Sequence, residues 1–309
     1  MKKWLIAALI ILILFFVSIE LFIPSTLSIS RSVITSANTN ALSRRLQDVN
    51  TWNKALNNTM PATNGSIQYD SYSLTVKKGL FNEIPVAFFD DNDSLTTILK
   101  CISLRNDSTA MKWEVSLNTS NNPFEKIQQY FAFRKIGFSF DDILDKLKTY
   151  TSSEINIYGN TITLQRVLDS SLASLKCSFK EYPSDSMIYS LINSLHAYVK
   201  GKASETNATM LFIQQIAGGD YEVLMGLPIN KPIEDSGIIK SKQLVQGRML
   251  VTEIRGGHST ELQTFAMMDQ YVIDHQYNQA AAPFSSLITD RIMEKDTSKW
   301  ITKICYPVY

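Results

Sequence analysis

The side chains able to do chemistry are thinly spread along this chain. His196, His258 and His275 include no i, i+4 pair and no ligand-like carboxylate flank, so a metal site built on imidazole is not expected. Cys101, Cys177 and Cys305 are as widely separated, which fits buried small hydrophobes better than a metal pair or a disulfide framework. His258 follows Gly256-Gly257 and reads as a loop residue before a helix. Paired carboxylates occur at Asp90-Asp91, in a predicted loop, and at Asp141-Asp142, where the dipole of a helix start accounts for the acids. There is no nucleophile elbow, phosphate loop, dinucleotide fingerprint or zinc motif. The remaining candidates are groups on predicted strands: Phe212, Gln214, Glu222, Glu253, Ser285, Leu287 and Trp300. Glu222 and Glu253 either line a cleft or sit on a solvated strand face. Trp300 either walls a cleft or plays a structural part at a strand start. No catalytic residue is expected, and no cofactor.

The elements that must position these groups come in three stretches: residues 1–24, 25–154 and 155–309. Thirty basic residues balance twenty-nine acidic ones, which argues against a nucleic-acid partner. Lys2 and Lys3 precede an apolar run from Trp4 to Ile23, interrupted by Ser18 and Glu20. About twenty residues at helical rise span a bilayer core. Bulky residues rather than a small-x-small site follow the run, which favours an uncleaved anchor over a cleaved signal. The positive-inside rule then puts the N-terminus in the cytoplasm and the rest outside it, in the periplasm, as a single-pass protein.

Residues 25–154 open with a strand around Leu27–Ile34, followed by a helix over 41–56. Strand-like runs follow at Ile67–Val76, Val86–Phe89, Leu95–Leu104, Lys112–Leu117 and Ile127–Phe133, and a helix from Asp141 closes the region. The order is α+β. In residues 155–309 a unit of strand, helix, strand and strand occurs twice. The first copy has strands at 161–168 and 172–179, a helix over Asp185–Val199, and strands at 209–215 and 221–229. The second has a strand at 247–254, a helix from Thr260 to about Gln276, and strands at 286–292 and 300–308. Thr260 and Gln263 could form a capping box, and Leu262, Phe265, Met268 and Val272 make the apolar face of that helix. Leu227-Pro228-Ile229 and Tyr306-Pro307-Val308 close the two copies alike, with a linker marked by Pro228, Pro232 and Gly237. Such a duplication encloses a cleft at its junction.

Trp52 and the closing run Phe140 to Lys148 resemble the START-like (SRPBCC, polyketide cyclase-like) superfamily, which implies a helix-grip antiparallel sheet domain over 25–154. The stretch from Pro283-Phe284 through Asp290 and Glu294-Lys295-Asp296 to Lys299–Val308 resembles the GyrI-like small-molecule-binding domain, also called the effector-binding domain of AraC-type regulators. That resemblance implies a glutamate two residues after Pro283 and a tyrosine two further on. This chain has Ser285 and Leu287 instead. A serine supplies no charge to a buried cation and is a poor proton acceptor. The expected function is therefore a membrane-tethered sensor or carrier of a small, mostly apolar molecule. The alternatives are a hydrolase or cyclase-like enzyme on the same scaffold, and a structural or partner-binding envelope protein with filled pockets.

Overall fold

Asn122 and Pro123 set the frame of the first unit. The Asn122 side chain accepts the Phe124 N–H, proline occupies the first turn where its missing donor costs nothing, and the helix runs 29 residues to Thr151. The structure, a computed structural model, describes residues 2–57, 65–89, 94–105, 107–167, 171–244 and 246–309; side chains of residues 2, 3 and 5–9 are outside that description, as is the Asp90-Asp91 pair. The chain forms two units, Met1–Ile157 and Tyr158–Tyr309.

In the first unit α1 (Lys2–Phe22) leads into β1 (Thr26–Thr35), α2 (Thr39–Leu46) and α3 (Val49–Ala55). Then come β2 (Ser66–Tyr69), β3 (Tyr72–Val76), β4 (Glu83–Phe89), β5 (Ser94–Arg105), β6 (Ser108–Asn118) and α4 (Pro123–Thr151). The helix expected over 41–56 is two helices, because the Asp48 side chain accepts the Asn50 N–H and caps a fresh start. The six strands form an antiparallel sheet in the order β1-β6-β5-β4-β3-β2. Met111, Trp113 and Val115 point inward from β6 and Glu114 outward, the alternation expected of a half-buried strand.

One expectation is overturned here. Ile127–Phe133, read as a strand, is the N-terminal part of α4. Phe133, Gly137, Phe140, Ile143, Leu144, Leu147 and Thr151 are buried at helical spacing, and that face continues upstream to Lys126. A Cβ at Gly137 would lie 3.3 Å from Ile29 Cδ1, so the glycine lets α4 cross close over β1.

The anchor expected over residues 1–24 falls partly on residues 1–3 and 5–9, whose side chains lie outside the described ones. Among the described residues no helix is long and apolar enough to cross a membrane. In the described part of α1, Ile10–Phe15, Val17, Leu21 and Phe22 are exposed. Glu20 is bonded to Lys126 Nζ at 2.7 Å, and the Lys126 side chain is only 4% exposed.

The second unit follows α5 (Glu154–Tyr158). Its elements are β7 (Thr163–Val167), β8 (Ser171–Phe179), α6 (Asp185–Val199), β9 (Met210–Gln215), β10 (Tyr221–Ile229) and β11 (Ile239–Gln243), then β12 (Gly247–Arg255), α7 (His258–Asp274), β13 (Phe284–Leu287), a 3-10 turn (Thr297–Lys299) and β14 (Ile301–Val308). The two repeats are β8-α6-β9-β10 and β12-α7-β13-β14. They meet in one eight-stranded sheet, ordered β11-β8-β10-β9-β13-β14-β12-β7. The seam is β9 against β13, with Leu211 opposite Ser285 and Met210 opposite Ser286. The strand before each repeat edges the other one: β7 pairs with β12, and β11, in the expected linker, pairs with β8.

Helix α7 differs from its reading in the sequence. It starts two residues earlier, at a Gly257 N-cap with no side-chain cap bond, so Thr260 and Gln263 form no capping box. Gly256 makes the turn at φ +141, a conformation that favours glycine. The buried positions are Glu261, Thr264, Met268, Tyr271 and Asp274, while Leu262 is exposed. A helix that borders a cleft can bury polar groups that have partners there, so its inner face need not be its apolar one.

Candidate functional site

A cleft of about 790 Å³ opens in the second unit, lined from α6, α7, β9, the β13 segment and β14. Its centre is an ion pair that the sequence reading missed. Glu261, in the first turn of α7 and 6% exposed, faces Ser285 on β13. Ser285 Oγ donates to Glu261 Oε2 at 3.1 Å, and Arg291 Nη2 donates to Glu261 Oε1. The same nitrogen reaches Thr302 Oγ1 at 3.0 Å, and the guanidinium lies over the Trp300 ring, 4.7 Å from its centroid.

The segment after β13 holds Arg291 in place. The Arg291 backbone N–H donates to Tyr189 Oη at 2.8 Å, and that hydroxyl donates to the Thr289 carbonyl at 3.1 Å. Trp300 Nε1 donates to the Glu294 carbonyl at 2.9 Å, so the ring is fixed at both its edge and its face. A charge-bearing carboxylate buried alone would be costly. Here the guanidinium and two hydroxyls complete the network.

Aromatic rings make most of the remaining wall. Tyr182 packs on His258 (4.8 Å between centroids) and edge-on to Tyr221 (5.5 Å), with its hydroxyl 3.3 Å from His258 Nδ1. Burial, and then the negative charge of Glu261, push the Tyr182 phenol up to about 12. Tyr306 Oη donates to Asp269 Oδ1 at 2.8 Å, with the Phe265 carbonyl 3.0 Å from the same hydroxyl. Burial and the Asp269 bond hold that phenol well above its ordinary range.

Of the residues singled out in the sequence, Ser285, Trp300 and Phe212 line the cleft. The other four strand residues, Leu287, Gln214, Glu222 and Glu253, do not. Leu287 is buried in the apolar cluster with Ile188, Ile192 and Leu211. Gln214 is exposed towards the end of β9 and bonds Glu222 at 3.2 Å, and Glu222 pairs with Lys176 at 2.6 Å. Glu253 lies on the exposed face of β12, opposite Lys303 in the register, so the strand alternation turns it to solvent.

A signal for Glu261 was present in the repeat. Counting from each helix start, Asp185 and His258, the fourth residue is Ile188 in one copy and Glu261 in the other, and both are buried. A glutamate where the sister helix has a core isoleucine marks a polar interior.

No family model matches the chain, and no curated protein matches it. Solved structures of similar shape include the EcmrR C-terminal domain (16% identity over 48% of this chain and 98% of that one, TM-score 0.42). SAV2435 bound to tetraphenylphosphonium is another (14%, 48% and 94%, TM-score 0.32). A third is the Zhui aromatase/cyclase from Streptomyces sp. R1128 (9%, 40% and 92%, TM-score 0.29). At these scores and identities the likenesses carry no argument about function, and they lend no support to excluding a nucleic-acid partner.

Proposed function

We propose that this chain is a membrane-tethered, extracytoplasmic small-molecule-binding protein, a sensor or carrier, whose cleft in the second unit holds a small, mostly apolar molecule. The observation that carries the reading is an open, aromatic-walled cleft of about 790 Å³ whose one buried acid, Glu261, is already neutralised by Arg291. Apolar walls with a few placed polar groups are the usual make-up of a ligand site. A neutral planar molecule can stack on the rings and meet Ser285 without leaving any charge unpaired. A cation would have to compete with Arg291 for Glu261.

The enzyme reading is weaker at this cleft, since both oxygens of the Glu261 carboxylate are already engaged by Arg291 and Ser285. The tether rests on the apolar run Trp4–Ile23 behind Lys2 and Lys3, and on the apolar side chains that the described part of α1 leaves uncovered.

Calorimetry with matched neutral and cationic aromatic dyes tests the ligand class. Saturable binding of the neutral dye, weakened by Trp300→Ala, is expected. Preference for the cation would sink the neutral-ligand reading, and binding of neither dye would favour a structural role. A reporter fused after Tyr309 should be active outside the cytoplasm, and a cytoplasmic signal would overturn the topology.

A further inference from the structure

Further along α6 lies a second pocket of about 240 Å³, which shares none of the cleft's lining residues. It brings together an acid, an imidazole and a hydroxyl. His196 Nδ1 lies 2.5 Å from Glu205 Oε1, and His196 Nε2 lies 3.4 Å from Thr209 Oγ1. An ionised carboxylate only accepts, so the proton belongs on Nδ1, and the Nε2 lone pair faces the threonine hydroxyl. Backbone bonds fix the flanking chain: Thr206 N–H to the Pro228 carbonyl at 2.9 Å, and Leu287 N–H to the Thr209 carbonyl at 3.1 Å. Asn193, one turn before His196, and Asn207 line the same pocket and are exposed, which offers amide donors to an incoming oxygen.

We infer that Thr209, His196 and Glu205 form a relay that transfers the acyl group of a small ester to water, independently of what the cleft binds. Thr209 Oγ attacks the ester carbonyl carbon as its proton passes to His196 Nε2. The bond to the leaving oxygen breaks, and that oxygen takes the proton from Nε2 and departs as the alcohol. Water then attacks the acyl-threonine. It gives one proton to Nε2, which returns it to Thr209 Oγ as the acid leaves. Nothing is oxidised or reduced. Glu205 holds the imidazole in its tautomer and stabilises the imidazolium. The pocket volume limits the acyl group to a short one, and Glu205 and Asp290 on its wall disfavour anionic esters.

The test uses the full chain in detergent with p-nitrophenyl acetate, read by p-nitrophenolate release and by mass spectrometry of the acetylated peptide. Saturable turnover with the acetyl group on Thr209 is expected. His196→Gln and Thr209→Val should each lose about 100-fold or more of the protein-dependent rate. Glu205→Gln should lose less, and Thr209→Ser should retain turnover with acetyl at the same position. Acetyl on lysines alone, an unchanged rate in a folded Thr209→Val, or loss of turnover in a folded Thr209→Ser would overturn the relay. So would a wild-type rate no greater than that of free imidazole.

Discussion

The two units solve the same problem, what to put between a sheet and its helices, in opposite ways. In the first unit the described residues fill that space. Trp113 stacks on Phe140 at 4.3 Å, meets Phe88 at 5.5 Å and Trp52 at 5.7 Å, and each of these rings is buried. Their polar atoms are satisfied inside the protein: Trp52 Nε1 donates to the Leu46 carbonyl and Trp113 Nε1 to Thr97 Oγ1, which donates in turn to the Val86 carbonyl. In the second unit the rings stand around a space instead of in it, and the polar groups are paired across its wall. An aromatic residue therefore says little about ligand binding until its neighbours are known. Trp52 and Trp300 are both buried and both hydrogen-bonded to carbonyls, yet one sits in a packed core and the other lines a cleft.

The largest effect that would sharpen this contrast is expected from Trp113→Ala. Removing a ring at the centre of the filled interior should cost about 3–5 kcal/mol, read by denaturant unfolding. A loss under about 1 kcal/mol would mean that the first unit is not filled as described. In the second unit, Arg291→Gln leaves Glu261 buried without its cation and should also destabilise by about 3–5 kcal/mol. It should raise affinity for a cationic dye by roughly tenfold, since one charge-assisted contact is about 1.5–3 kcal/mol. The pair Glu261→Met with Arg291→Met should recover most of that stability and abolish the cation gain. If the cation gain persists without Glu261, another acid governs the site.

Ser285→Ala is a smaller perturbation. It removes one hydrogen bond to Glu261 and should cost about 1 kcal/mol or slightly more. The weakest handle is alkaline pH. The phenols of Tyr182 and Tyr306 and the Cys305 thiol are all held above their ordinary values by burial, Tyr182 and Cys305 to about 12. Folding thus favours their protonated forms. Stability from these groups is fully present below the unfolded values, about 8.5 for cysteine and 10 for tyrosine, and is lost as pH climbs towards 12. Phenolate absorbance followed beside melting should show the second unit weakening over that interval. Ionisation of every tyrosine near pH 10 without loss of structure would contradict the burial.

Much of this frame was legible in the sequence where periodicity and punctuation agreed. Helix α6 begins at Asp185 and ends at Val199 as read, because Ser184 caps it and its apolar positions recur at helical spacing. Strand β10 likewise begins as read, just after the turn at Gly218-Gly219. Reading failed where two periods coincide. Ile127–Phe133 is short and apolar, and only the cap at Asn122 reveals a helix long enough to contain it. It failed again at Glu261, because an acid in a first helical turn is ordinarily accounted for by the helix dipole. Strand β11 was missed because Ile239–Gln243 is polar and mostly exposed, as an edge strand can be.

The exchange of edge strands has a consequence for how this half of the molecule comes apart. At the seam only two residue pairs join β9 to β13, and alone that would be a place for the repeats to separate. But β7 precedes the first repeat in sequence and is hydrogen-bonded to the second, while β11 precedes the second and is hydrogen-bonded to the first. Each copy carries a strap from its twin, so neither can melt while the other stays whole. In amide hydrogen exchange the repeats should open in one concerted event, with matched protection in β8 and β12 despite their different sequences.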